Sequence, residues 1–326
     1  MNRRESMITL AGITAGLQLC SLPGVFAAEG PVPTAKAPAV PGPVPDTRKP
    51  VFRMPAGAVD THMHIYGPIS KYPYSEDRSY TPPEATVESF RKLQGILGVQ
   101  RAVIVNATIY GTNNRIVTDA IAGSNNAYRG IATIDDKLSD RELEALDKAG
   151  IRGCRFTFLS RLRNAPDTSV FDRVIDQIKG LGWHVDIYLE ADKLDMFAPR
   201  LRKLPIPYVI DHMGAIKVAD GLEAPGFKAL VELFKTDEKC WMKITGPERA
   251  TAAGAPFTDV VPFARKLVET APDRVLWGTD WPHPNVKFMP NEGDQVDLIP
   301  LYAPDPAVQR KLLVENPQKL FKFDPV

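Results

Sequence analysis

Apolar and polar positions along this chain follow two alternating periods. Short runs rich in β-branched residues recur. Each is followed by a longer stretch in which apolar residues return every three or four positions. The runs are AVDTHMHI from Ala58, RAVIVNA from Arg101, RGIATID from Arg129 and IRGCRFTF from Ile151. They continue with HVDIYL from His184, YVIDHM from Tyr208, CWMKIT from Cys240 and RVLWGTD from Arg274. A short run bounded by turn residues predicts a buried strand, and the longer period predicts an amphipathic helix. ATVESFRKLQGIL, SDRELEALDKAG, SVFDRVIDQIKGLG and FKALVELFK are the clearest helical segments. Ser139 and Glu142 have capping-box spacing. Gly98, Gly150 and Gly182 stand where helices would stop before the next strand. Eight strand–helix units predict an α/β protein with one (β/α)8 TIM barrel, spanning residues 56–326.

The N-terminal stretch does not share this pattern. Arg3 and Arg4 form a twin-arginine pair, a mildly apolar run follows from Met7 to Cys20, and Val25–Ala27 end in small residues. That layout predicts a twin-arginine signal over residues 1–27, and hence export to the periplasm. The apolar run is too short for a membrane span. Residues 28–55 are rich in Pro and Ala, which predicts an extended tether.

The net charge of +1 argues against a nucleic-acid partner. The three cysteines, Cys20, Cys154 and Cys240, have neither metal spacing nor a disulfide framework. Cys154 and Cys240 read as small buried strand residues. Nothing in the pattern decides between a monomer and a homo-oligomer.

In a barrel of this type the chemistry gathers where the strands end. The polar residues there are His62 and His64, Asn106 and Thr108, Asp135, Arg155, Tyr188, Asp211 and His212, Lys243 and Thr245, and Asp280. Strand interiors are otherwise apolar, so such a ring predicts a functional face. His184 opens its strand at the opposite end and reads as structural. His283, between Pro282 and Pro284, reads equally as a pocket residue or a loop brace. Trp277 and Trp281 read as packing. Strand alternation would point Asp211 away from His212, in a capping or supporting role.

The motifs VDTHMHIYGP, GIRGCRF, GWHVDIY, VIDHMG, PER and RVLWGTDWPHPN, in this order, resemble the amidohydrolase superfamily. The resemblance is to its branch of 2-pyrone-4,6-dicarboxylate lactonase-like hydrolases. It implies that Asp280 is the general base for water, with His62, His64 and His212 polarising a lactone carbonyl. It further implies that Arg155, Arg161 and Arg249 bind substrate carboxylates, assisted by Tyr80, Thr108 and Tyr188. The partner so implied is a small anionic lactone. These residue types suit the chemistry: a carboxylate takes the proton of water, imidazoles stabilise an oxyanion, and guanidinium matches carboxylate with paired hydrogen bonds.

His62, His64, His212 and Asp280 could also hold a divalent ion such as zinc. The resemblance favours a reaction that requires no cofactor. Metal-dependent members place a Lys or Glu and a His at the ends of strands 4 and 5, where this chain has Arg155 and Tyr188. Other activities remain open: a sulfomuconolactone hydrolase, a sugar-acid lactone hydrolase or isomerase, and a metal-dependent amidohydrolase or decarboxylase. A periplasmic binding protein without catalysis is the non-enzyme alternative. The isomerases carry Asn in place of Asp280, which disfavours that reading.

Overall fold

The computed structural model describes residues 37–159 and 167–326. The expected signal (1–27), the first part of the expected tether and Arg161 lie outside the described residues. The eight apolar runs form eight strands: β1 (Val59–Met63), β2 (Arg101–Val105), β3 (Tyr128–Ala132), β4 (Ile151–Thr157), β5 (His184–Tyr188), β6 (Tyr208–Ile210), β7 (Cys240–Ile244) and β8 (Val275–Trp277). They lie parallel in the order β1 to β8. Helices on the outside link successive strands, as parallel pairing demands. The architecture is therefore the expected (β/α)8 barrel.

Closure between β8 and β1 is made by individual hydrogen bonds at and just past the strand ends. Thr61 Oγ1 donates to Trp277 O at 2.8 Å, Asp280 N to His62 O at 2.8 Å, and His64 N to Trp281 O at 2.7 Å. Only glycine fits the crossing, since a Cβ on Gly278 would lie 2.6 Å from His62 N. This seam places His62, His64 and Asp280 side by side.

The helix boundaries follow from local chemistry. Val87–Leu97 is capped by Thr86 and ends at Gly98, with φ 79°. Asp140–Lys148 has the complete Ser139–Glu142 capping box. Leu93, Leu97, Val174, Ile178, Leu230 and Leu233 are among the buried residues on helical faces. Inside the barrel, Val103, Ile131, Val209, Trp241 and Leu276 cluster with Leu320 and Phe321 from the C-terminal helix. That layer plugs the bottom of the barrel. Above it the interior becomes charged, with Asp186, Lys243 and Asp211 all fully buried.

From Ala37 onward the proline-rich segment is not a free tether. Thr81 N donates to Pro38 O at 2.7 Å, and Val40 N to Thr81 O at 3.1 Å. Arg48 pairs with Asp294 at 2.7 Å and also with Asp297, whose Oδ1 accepts from Val51 N and Phe52 N, each at 2.8 Å. Proline prevents this strap from forming regular structure, but not from docking through its remaining N–H groups. No helix among the described residues is long and apolar enough to cross a membrane.

Candidate active site

A cavity of about 300 Å³ opens at the C-terminal end of the strands. His64, Tyr80, Thr108, Arg155, Tyr188, His212, Arg249 and Asp280 all line it. The barrel thus brings together the residues to which the resemblance gives roles, with two exceptions, whereas Asn106, Asp135, Asp211, Lys243 and Thr245 of the strand-end ring do not line the cavity. His62 lies just beneath, with no exposed surface, and Arg161 is outside the described residues. Ser79, Thr157 and Asn285 also face the cavity, although sequence alone did not select them.

Asp280 is the centre of the site. Its Oδ1 lies 3.5 Å from His64 Nε2, 3.7 Å from His62 Nε2 and 3.9 Å from His212 Nε2. Among the described residues this oxygen has no hydrogen-bond partner, and neither has His62 Nε2. Oδ2 accepts from Arg249 Nε at 2.7 Å. Burial opposes ionisation of Asp280, but the Arg249 guanidinium outweighs it and holds the carboxyl well below the usual range. Burial keeps His62 and His212 neutral, pushing His62 down to about 3, with the Lys243 charge adding to the effect.

Backbone strain accompanies this arrangement. Asp280 has φ 64° and His212 φ 49°, both in the left-handed region that non-glycine residues avoid. Because β6 ends at Ile210, the turn at His212 breaks strand alternation. Asp211 and His212 therefore both reach the site, against the expectation that Asp211 points away. Asp211 makes no side-chain cap hydrogen bond. Instead it accepts from Arg155 Nε at 2.7 Å and lies 3.1 Å from Lys243 Nζ. Burial disfavours its charge, yet Lys243 and Arg155 keep it ionised.

Arg155 also stacks over Tyr188, 5.4 Å from the ring centre, and its Nη2 reaches His212 Nε2 at 3.4 Å. Arg249 donates from Nη2 to Pro284 O at 3.0 Å. Tyr80 OH meets Tyr66 OH at 3.3 Å. His283 is absent from the cavity lining and acts as a brace. It is fully buried between Glu248 at 3.3 Å and Glu292 at 3.2 Å. Burial opposes its charge, but the two carboxylates raise its pKa to about 9. His184 sits at the other end, packed 5.1 Å from Phe321. Trp281 packs on Phe90, 5.6 Å between centres.

The amidohydrolase profile matches residues 59–323. The chain belongs to the amidohydrolase family. This amidohydrolase is 42% identical over 282 residues to the 2-pyrone-4,6-dicarboxylate hydrolase of Comamonas testosteroni, covering 84% of this chain and 92% of that one. It is 41% identical over 274 residues to the 4-sulfomuconolactone hydrolase of Hydrogenophaga intermedia, covering 83% and 90% of the two chains. Among solved structures, a probable 2-pyrone-4,6-dicarboxylic acid hydrolase from Acinetobacter baumannii with citric acid bound superposes with a TM-score of 0.71. The two are 26% identical, and the match covers 82% of this amidohydrolase and 100% of that chain.

His62, His64 and Asp280, or His62, Asp211 and His212, could hold a metal ion by position. The charges do not fit one. Arg155 already touches His212 Nε2, and Arg249 touches Asp280. Asp186, Asp211 and Asp280 are matched by Lys243, Arg155 and Arg249. A divalent ion would have to share ligands that Arg155 and Arg249 already hold, at the cost of charge repulsion from both guanidinium groups.

Proposed function

We propose that this amidohydrolase opens carboxylated lactones by hydrolysis that uses no metal ion. The observation that carries the reading is Asp280: an ionised carboxylate faced by three imidazoles and flanked by Arg155 and Arg249 in one cavity. Its relatives at 42% and 41% identity are both named as hydrolases of acidic lactones.

Water held at Asp280 Oδ1 attacks the lactone carbonyl and passes one proton to the carboxylate. An imidazole N–H aimed at the oxyanion stabilises it, worth roughly 3 kcal/mol for a well-placed donor. The ring C–O bond then breaks as the carbonyl re-forms, and Asp280 returns the proton to the leaving oxygen. Arg155 and Arg249 retain N–H groups for substrate carboxylates, and Tyr80, Thr108 and Tyr188 complete the wall. We assign Arg161 to the same task from the family resemblance alone.

A sulfonated muconolactone is the second reading, since the Hydrogenophaga relative is almost equally similar. The arginines would serve either anion. The N-terminal arginine pair supports export to the periplasm, so the natural lactone would be met outside the cytoplasm.

The test is to purify the chain from Ala28, measure its metal content, and assay carboxylated and sulfonated lactones with and without a chelator. Turnover that survives exhaustive chelation is expected. Loss with chelator and recovery with zinc would overturn the metal-free mechanism. Asp280→Asn should cut kcat by roughly 10²- to 10⁴-fold while acid ligands still bind.

A further inference from the structure

The three imidazoles around Asp280 have unlike partners, and the partners dictate where each ring carries its proton. His64 Nδ1 lies 2.8 Å from Val105 O, a carbonyl that can only accept. A neutral His64 must therefore carry its proton on Nδ1, and its Nε2 then turns a lone pair toward the cavity. His212 Nε2 lies 3.4 Å from Arg155 Nη2, which can only donate, while its Nδ1 lies 2.8 Å from Thr245 Oγ1, which can accept. His212 also carries its proton on Nδ1.

His62 is the reverse. Its Nδ1 lies 3.1 Å from Lys243 Nζ. An ammonium has three donors and no acceptor, so this contact forms only when Nδ1 is bare. The rival partner is Asp211 Oδ1, 3.5 Å from the same nitrogen. That is beyond the ordinary reach of an N–H···O bond. Lys243 is itself fixed. It has no exposed surface, donates to Asp186 Oδ2 and lies 3.1 Å from Asp211 Oδ1. Asp186 takes one of its N–H groups, and another is left for His62.

We propose that Lys243 is a positioning residue that holds His62 in its Nε2–H tautomer, so that His62 alone of the three neutral imidazoles presents an N–H to the lactone carbonyl. The chemical use of that N–H rests on the lactonase reading; the tautomer itself does not. His62 Nε2 has no hydrogen-bond partner among the described residues and lies 3.7 Å from Asp280 Oδ1, where a reacting group would sit. The opposite side of the site is made of acceptors: Asp280 Oδ1 with His64 Nε2 at 3.5 Å and His212 Nε2 at 3.9 Å. Acceptors there suit the two protons of the attacking water. The site thus divides into a donor for the carbonyl and acceptors for the water.

The chain has five histidines, so ring ¹⁵N NMR of the histidine-labelled protein is tractable without substrate. Signals are assigned by loss in His62→Gln, His64→Gln and His212→Gln. His62 is expected with Nε2 protonated, and His64 and His212 with Nδ1 protonated. A His62 protonated at Nδ1, or averaged between both nitrogens, overturns the proposal. Lys243→Met should turn His62 to Nδ1–H, donating toward Asp211. It should lower kcat by roughly 10²-fold, the usual loss for one oxyanion donor, with KM little changed. Lys243→Arg restores a donor and should recover the wild-type tautomer and much of kcat. A methionine variant that folds and keeps Nε2–H removes Lys243 from the role. If that variant does not fold, the wild-type and arginine spectra decide. A His62 Nε2–H signal in a protein that hydrolyses no lactone leaves the tautomer standing and overturns the lactonase reading. Lactone turnover with His62 as Nδ1–H overturns the tautomer alone.

Discussion

Arg249 serves two masters, and this has a measurable consequence. In the free site it holds Asp280 at 2.7 Å and keeps that carboxyl well below its usual range against the pull of burial. So strongly ionised a carboxylate is a weak base. On the proposed mechanism, a substrate carboxylate that takes up part of the Arg249 charge would weaken this hold and raise the Asp280 pKa in the complex. The proposed base would then strengthen only when substrate is bound. The acid limb of kcat/KM reports the free enzyme, and that of kcat the complex. The limb in kcat should lie at higher pH than the limb in kcat/KM. Arg249→Met should raise the kcat/KM limb toward that of kcat and raise KM. Coincident limbs in the wild type would mean that Arg249 does not bridge base and substrate. Asp280 and Arg249 were both legible in the sequence, as a strand-end residue and a motif residue. Their mutual pairing was not, because 31 residues separate them.

At the scale of elements, every strand was legible, since each apolar run is bounded by turn residues and followed by a helical period. The ends were less so. β6 stops at Ile210, and a left-handed turn begins at His212, so Asp211 and His212 act on the same site. Strand periodicity cannot foresee a broken strand. Asp186 in HVDIY and Lys243 in CWMKI left a signal: a lone charge inside an apolar barrel strand needs a partner. Their opposite signs fit, but the 57 residues between them conceal the match. The docking of residues 37–55 left no such signal, because composition does not reveal which N–H groups and side chains find partners. Arg48 joins this strap to Asp294 and Asp297, and Thr47 Oγ1 donates to Glu292, a partner of His283, at 3.0 Å. Arg48→Ala should cost about 1 kcal/mol, given its partial exposure. For a domain of this size that is a fall in Tm of roughly 2–4 °C. A chain starting at Arg53 should lose more than one starting at Ala37. Equal melting of those two chains would restore the tether reading.

Across the whole molecule the barrel interior changes character from bottom to top. Val103, Ile131 and Leu276 meet Phe321 at the base, Lys243 and Asp186 form a charged floor, and the cavity lies above. A barrel that buries so many ionisable groups must pay for them at particular pH values. His62 falls to about 3 in the fold, because burial and then Lys243 disfavour its charge. A depressed histidine contributes stability that is complete above its unfolded value of about 6.5 and is lost as pH falls toward 3. His283 is opposite in sign. Its pKa rises to about 9, because Glu248 and Glu292 overcome burial. Its contribution, roughly 3 kcal/mol, is complete below about 6.5 and is lost as pH rises through 9. Asp60 is a lesser opposing case. Burial raises it to about 6 despite hydrogen bonds from Thr279, so it gives up stability as pH climbs from about 4 to 6. The two histidines together predict a stability maximum near pH 6.5 to 7, with losses on both sides. Denaturant titrations from pH 4 to 10 measure it. His283→Gln should flatten the alkaline side while leaving the acid side in place. An alkaline limb unchanged in that variant would show that the Glu248–His283–Glu292 clamp does not set it.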